Sequence, residues 1–82
     1  MSATTVTVYE LPGCQACRLT IRAFARHGVQ VEVIDLCSSP EAQQIVEAMD
    51  FTSAPVVAAG DRWWQGLRPD LIKQAASVAG CR

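Results

Sequence analysis

Apolar residues recur along this chain with two different periods, and the switches between them mark out seven segments. Val6-Thr7-Val8-Tyr9 reads as the heart of a strand over residues 5–10, broken by Leu11-Pro12-Gly13. From about Gln15 to His27, Ala16, Leu19, Ala23 and Phe24 follow the i, i+3, i+7, i+8 spacing of a helix lying on a sheet. Arg26-His27-Gly28 supplies its stop, with cations answering the C-terminal dipole and a glycine free to take a left-handed cap. Residues 29–36 return to a strand carrying Val31, Val33 and Ile34, and the intervening helix requires the two strands to run parallel.

The second half repeats the alternation and then departs from it. Ser38-Ser39-Pro40-Glu41 opens a second helix with a capping residue, an early proline and an acidic first turn. Ala42, Ile45, Val46 and Met49 are expected on its inner face, and it ends near Asp50. Residues 54–59 and Arg62-Trp63-Trp64 flank Gly60-Asp61, a pair suited to a two-residue hairpin, so these strands are expected to be antiparallel. Pro69 starts a last helix with Leu71, Ile72, Ala75, Val78 and Ala79 on one stripe and Gly80 as its end. The order is β-α-β-α-β-β-α, an α/β fold with a four-stranded mixed sheet flanked by three helices.

Composition narrows the function classes. At 82 residues the expectation is one domain over 1–82, too small for a second core. Half of the residues are hydrophobic and 18% are charged, as in a globular chain, and a net charge of −1 offers no electrostatic case for nucleic acid or membrane. Met1-Ser2-Ala3-Thr4-Thr5 lacks the basic start and apolar run of a signal peptide, so a cytoplasmic monomer is expected. In that compartment structural disulfides are rare, which argues against a framework built from the four cysteines.

Candidate chemistry concentrates at Cys14-Gln15-Ala16-Cys17, where the first strand gives way to the first helix. The first sulfur falls at a helix N-terminus, where unpaired N–H groups and the dipole favour a thiolate, the species that attacks disulfides. The same spacing also serves zinc knuckles, but structural zinc needs four ligands, and here only Cys37 and the single His27 stand apart from the pair and Cys81. A small metal-binding module therefore stays as an alternative, with no metal site assigned. Cys37 ends the second strand and reads as a free thiol near a helix start, while Cys81 is expected to be exposed and His27 serves the helix end.

Three motifs, Cys14-Gln15-Ala16-Cys17, Ser53-Ala54-Pro55 and Trp64-Gln65-Gly66-Leu67-Arg68-Pro69-Asp70, resemble the NrdH-type redoxins, small glutaredoxin-like proteins of the thioredoxin superfamily. The resemblance covers nearly the whole chain and implies a thioredoxin-like fold of glutaredoxin size. It implies a thiol-disulfide oxidoreductase with no bound cofactor besides a redox-active disulfide, reduced by thioredoxin reductase and donating electrons to ribonucleotide reductase. Cys14 becomes the attacking cysteine and Cys17 the resolving one, Pro55 the cis proline, and Ala54, Pro55, Trp64, Gly66, Arg68 and Asp70 the partner-binding residues. The chain departs from the family at Gln15-Ala16, Gln65 and Leu67. A glutathione-dependent glutaredoxin is the nearest alternative, but Glu10-Leu11-Pro12-Gly13 lacks the usual basic residue before the first cysteine, and Gln65-Gly66 replaces a Gly pair.

Overall fold

A computed structural model describes residues 5–80. Its elements are β1 (Val6–Glu10), α1 (Gln15–Arg26), β2 (Val31–Asp35), α2 (Pro40–Ala48), β3 (Val56–Ala59), β4 (Arg62–Gln65) and α3 (Pro69–Gly80). The sheet order is β2-β1-β3-β4. β1 pairs parallel to β2, with Val8 opposite Val33, and antiparallel to β3, with Val8 opposite Val57. β3 and β4 form the expected hairpin, Ala59 opposite Arg62.

Alternation along the central strands divides the core into two layers. Val6, Val8, Val57, Ala59 and Trp64 point to the side covered by α1 and α3, where Phe24 and Ile72 are buried against them. Tyr9 and Val56 point to the other side and meet Leu36, Ala42 and Val46 under α2. Because consecutive strand residues face opposite ways, the adjacent indoles separate. Trp64 enters the α1/α3 layer and stacks on Phe24 with centroids 6.5 Å apart, and Trp63 enters the α2 layer and stacks on Tyr9 at 6.0 Å.

Helix ends follow local chemistry. Ser39 caps α2, its Oγ accepting from the Ala42 N–H at 3.2 Å, with Pro40 at the first helical position. After α1, Gly28 takes φ of 74°, a conformation that favours glycine, and donates its N–H to the Ala25 carbonyl while Val29 donates to that of Phe24.

The buried face of α1 differs from the expected stripe. Cys17, Thr20 and Phe24 are buried, whereas Leu19 is exposed. The helix thus faces the sheet along the line of Cys17, Thr20 and Phe24, rotated away from Leu19 while keeping Phe24 inside. Thr20 makes this possible, since its hydroxyl donates back to the Ala16 carbonyl at 2.8 Å and leaves a methyl for the core. On α2 only Ala42 and Val46 are buried, while Ile45 and Met49 are exposed because the helix touches the sheet along a narrow line. Val33, on edge strand β2, is also exposed.

No helix among the described residues is long and apolar enough to cross a membrane. The resemblance implies Trp64 as a partner-binding residue, and the structure buries it in the α1/α3 layer. The residue keeps only 5% of its surface exposed, and its buried Nε1 has no hydrogen-bond acceptor. Trp64→Ala is therefore expected to lower folding stability by about 3–5 kcal/mol, the range for emptying an aromatic core site. Trp63→Ala, at a half-buried position, is expected to cost clearly less; urea unfolding of the two variants measures the difference.

Candidate active site

One end of the sheet gathers the motif residues. The Tyr9–Val56 and Val56–Gln65 pairs place the exit of β1, the start of β3 and the end of β4 side by side. Glu10 opposite Asp35 brings the end of β2 to the same edge. Cys14, Pro55, Gly66 and Cys37 each lie just beyond one of these strand ends.

Cys14 is the N-cap of α1, with extended backbone (φ −84°, ψ 110°), and its Sγ accepts from the Cys17 N–H at 3.1 Å. The pair is closed as a disulfide, with Cα atoms 5.2 Å apart. Cys14 is half-buried, while Cys17, inside the first turn, has no exposed surface. The same rotation of α1 that leaves Leu19 outside turns Cys17 inward. In the reduced state a Cys14 thiolate would sit where the N–H now meets the sulfur, beside the positive end of the helix. No acidic side chain stands in the first turn to oppose that charge.

Across from the dithiol, the Ala54–Pro55 peptide is cis, as the resemblance implies, and Pro55 is buried. The Pro55 carbonyl accepts from the Gly66 N–H at 2.8 Å, and Gly66 takes φ of 84°, which favours glycine. Beyond it, Arg68 grips Asp70 with two hydrogen bonds, Nε to Oδ1 at 3.3 Å and Nη2 to Oδ2 at 3.1 Å. Those bonds hold the Asp70 carboxyl below its ordinary value, although both side chains are exposed. A lowered carboxyl favours the fold above the ordinary aspartate range, and that contribution fades as pH falls through the folded value. Screening by solvent keeps it small.

Gln65 is the residue that motif reading undervalued. Its Oε1 accepts two backbone N–H groups, from Thr52 at 2.8 Å and Ser53 at 3.1 Å, and so ties the segment leading into Ala54-Pro55 to the end of β4. Alternation sets Gln65 on the sheet face of Trp63, but its partners thirteen and twelve residues earlier follow from the tertiary path of the chain after α2 and carry no signal in the sequence.

Other candidates separate from this centre. Cys37 is free and exposed, its N–H donating to Asp35 Oδ1 at 2.9 Å. Cys81 lies outside the described residues. Among the described residues no group of three or more His, Cys, Asp or Glu side chains is arranged to hold a metal. A groove of about 730 Å³ lined by Gly60, Arg62, Lys73 and Gln74 lies at the hairpin end of the sheet, opposite the dithiol. Arg62 and Gln74 hydrogen-bond across it, and it contains no cysteine.

Comparison with known proteins agrees with this arrangement. The glutaredoxin family model matches residues 6–64. The glutaredoxin-like protein NrdH of Escherichia coli strain K12 is 39% identical over 69 residues, covering 84% of this chain and 85% of the relative. That of Lactococcus lactis subsp. lactis is 30% identical over 71 residues, covering 87% and 99%. The solved structure of the E. coli NrdH-redoxin superposes with a TM-score of 0.83 at 38% identity, covering 85% of this chain and 92% of that one.

Gln65→Ala is expected to speed amide hydrogen exchange at Thr52 and Ser53 by roughly fivefold to tenfold, since a net hydrogen bond is worth about 1 kcal/mol. Gln65→Glu keeps an acceptor oxygen and is expected to keep the protection. Exchange measured by NMR on both variants checks this.

Proposed function

The chain belongs to the glutaredoxin family as an NrdH-type redoxin, a thiol-disulfide oxidoreductase, and from that premise we propose that it carries electrons from thioredoxin reductase to ribonucleotide reductase. The observation that carries the reading is the asymmetric dithiol, one sulfur reachable at a helix cap and the other sealed beneath it.

The geometry gives the two cysteines unequal roles. In the reduced protein the Cys14 thiolate attacks one sulfur of a partner disulfide, forming a Cys14–partner disulfide and releasing the other partner sulfur, which takes a proton. Cys17 then loses its proton and attacks the Cys14 sulfur from within. This breaks the mixed disulfide, frees the second partner thiol and leaves Cys14–Cys17 oxidised. Two electrons have moved to the partner, and a dithiol reductant returns them by the reverse exchange. Burial of Cys17 confines its attack to the neighbouring sulfur. The pair is itself the carrier, so the reading requires no bound cofactor.

Partner binding is assigned to the rim around the dithiol. Ala54, beside Pro55, offers its backbone to an extended segment, and Gly66, Arg68 and Asp70 form the adjoining loop. Thioredoxin reductase is favoured over glutathione because Glu10-Leu11-Pro12-Gly13 places no cation ahead of Cys14. The E. coli NrdH-redoxin is likewise described as glutaredoxin-like with a thioredoxin-like activity profile. A reducing cytoplasm fits the exposed free thiol of Cys37.

Cys17→Ser is expected to accumulate a mixed disulfide with a partner, and Cys14→Ser to form little; non-reducing electrophoresis after mixing with an oxidised substrate reads the difference. Equal trapping through Cys17 would reverse the roles. In NADPH-coupled assays, a cognate thioredoxin reductase is expected to turn the oxidised protein over faster than glutathione with its reductase. The opposite ranking would make it a glutathione-dependent glutaredoxin.

A further inference from the structure

Charge is segregated along this chain. Between residues 11 and 28 the Lys, Arg, Asp and Glu side chains are Arg18, Arg22 and Arg26 alone, whereas from 29 to 61 they are all acidic: Glu32, Asp35, Glu41, Glu47, Asp50 and Asp61. The fold preserves the separation, because α1 packs on one face of the sheet and α2 on the other. A net charge of −1 therefore conceals a cationic helix and an acidic one.

The three arginines are exposed and spaced one helical turn apart, and none belongs to an ion pair among the described residues. Residues at i and i+4 share a helix face, so they form a row along α1. Cys14 heads that row. It stands four residues before Arg18, whose N–H donates to the Cys14 carbonyl at 3.3 Å, and it is the less buried of the two cysteines.

Internal stability does not explain the row. Like charges at i and i+4 disfavour a helix by about 0.2–0.5 kcal/mol per pair, and Arg18 lies toward the N-terminal end, where the dipole opposes a cation. Only Arg26, in the last turn, answers the dipole. Arginine is also the cation whose planar fork meets a carboxylate with two hydrogen bonds.

We infer that Arg18, Arg22 and Arg26 form the docking face for an acidic protein segment, which lays its carboxylates along α1 while presenting its disulfide to Cys14. The inference rests on the redoxin reading and adds the chemistry of the partner. A phosphate backbone would also be drawn to arginine, but the row begins at a sulfur that attacks disulfides, and Phe24, the aromatic of α1, is buried in the core. The acidic α2 side repels an acidic partner from the opposite face and so orients the encounter.

Two synthetic peptides test this. Each carries one intramolecular disulfide in the same sequence, flanked in one by glutamates and in the other by lysines. Reduction by the fully reduced chain is followed by stopped-flow tryptophan fluorescence. At about 20 mM salt the acidic peptide is expected to react about tenfold faster, within the range for electrostatic steering. The ratio is expected to approach one above about 0.5 M, where screening lengths shrink to a few ångströms. Arg22→Glu with Arg26→Glu is expected to invert the ratio, and the paired Lys variant to keep its direction. Because the readout compares two probes on one protein, damage to the dithiol lowers both rates without moving the ratio.

Equal rates for the two peptides in the unmodified chain would overturn the docking face and leave the redoxin reading standing. Reduction of neither peptide would overturn both. Stronger competition by a short single-stranded DNA than by a cysteine-free acidic peptide would assign the row to nucleic acid instead and overturn the inference.

Discussion

The reactive end depends on β1 being paired along both edges, parallel to β2 and antiparallel to β3. A parallel neighbour ends at the same edge of a sheet, and an antiparallel one begins there. One strand register therefore brings the cysteine turn, the Ala54-Pro55 segment and, through β4, the Gly66 loop to a common rim. A one-residue slip would reverse every side chain on β1 and exchange its core layers. Val6 and Val8 on one side and Tyr9 on the other, all buried, oppose such a slip.

On that frame the dithiol needs few further devices. The cap position supplies an N–H to the Cys14 sulfur, and the orientation of α1 hides Cys17. Hiding one sulfur is a packing consequence, because Cys17 lies on the same face as Thr20 and Phe24. Reactivity and core formation thus share a single helix face. The rest of that rim is held by main-chain and amide contacts, Gly66 to Pro55 and Gln65 to Thr52 and Ser53, which impose little side-chain bulk on an approaching segment. Redox chemistry between proteins favours this arrangement, since the attacked sulfur must come close to a thiolate without a deep pocket around it.

Charge distribution adds direction to the same plan. The arginines of α1 lead away from Cys14 on one face, and Glu32 of β2, which alternation sets on the face of Ile34, lies with the acidic α2 on the other. A chain of nearly zero net charge can still carry a strong field along one axis, which governs encounter more than final affinity. Net charge alone missed this because it averages over layers that only the fold separates.

By itself, the sequence determined the element order, the parallel and antiparallel pairings, the Gly28 and Ser39 helix ends and the identity of the dithiol. Each depends on residues close together in the chain: alternation, caps, a two-residue turn and a C-x-x-C spacing. Tertiary structure decided which faces were buried and which side chains met. Leu19, Ile45 and Met49 looked like core residues and are exposed, while Thr20 is buried, because a helix touches its sheet along a line narrower than its apolar stripe and a satisfied hydroxyl can replace an aliphatic group. It also set Trp64 in the core and Gln65 against Thr52 and Ser53. Contacts across a dozen residues depend on register and on the return path after α2, and no local pattern encodes them.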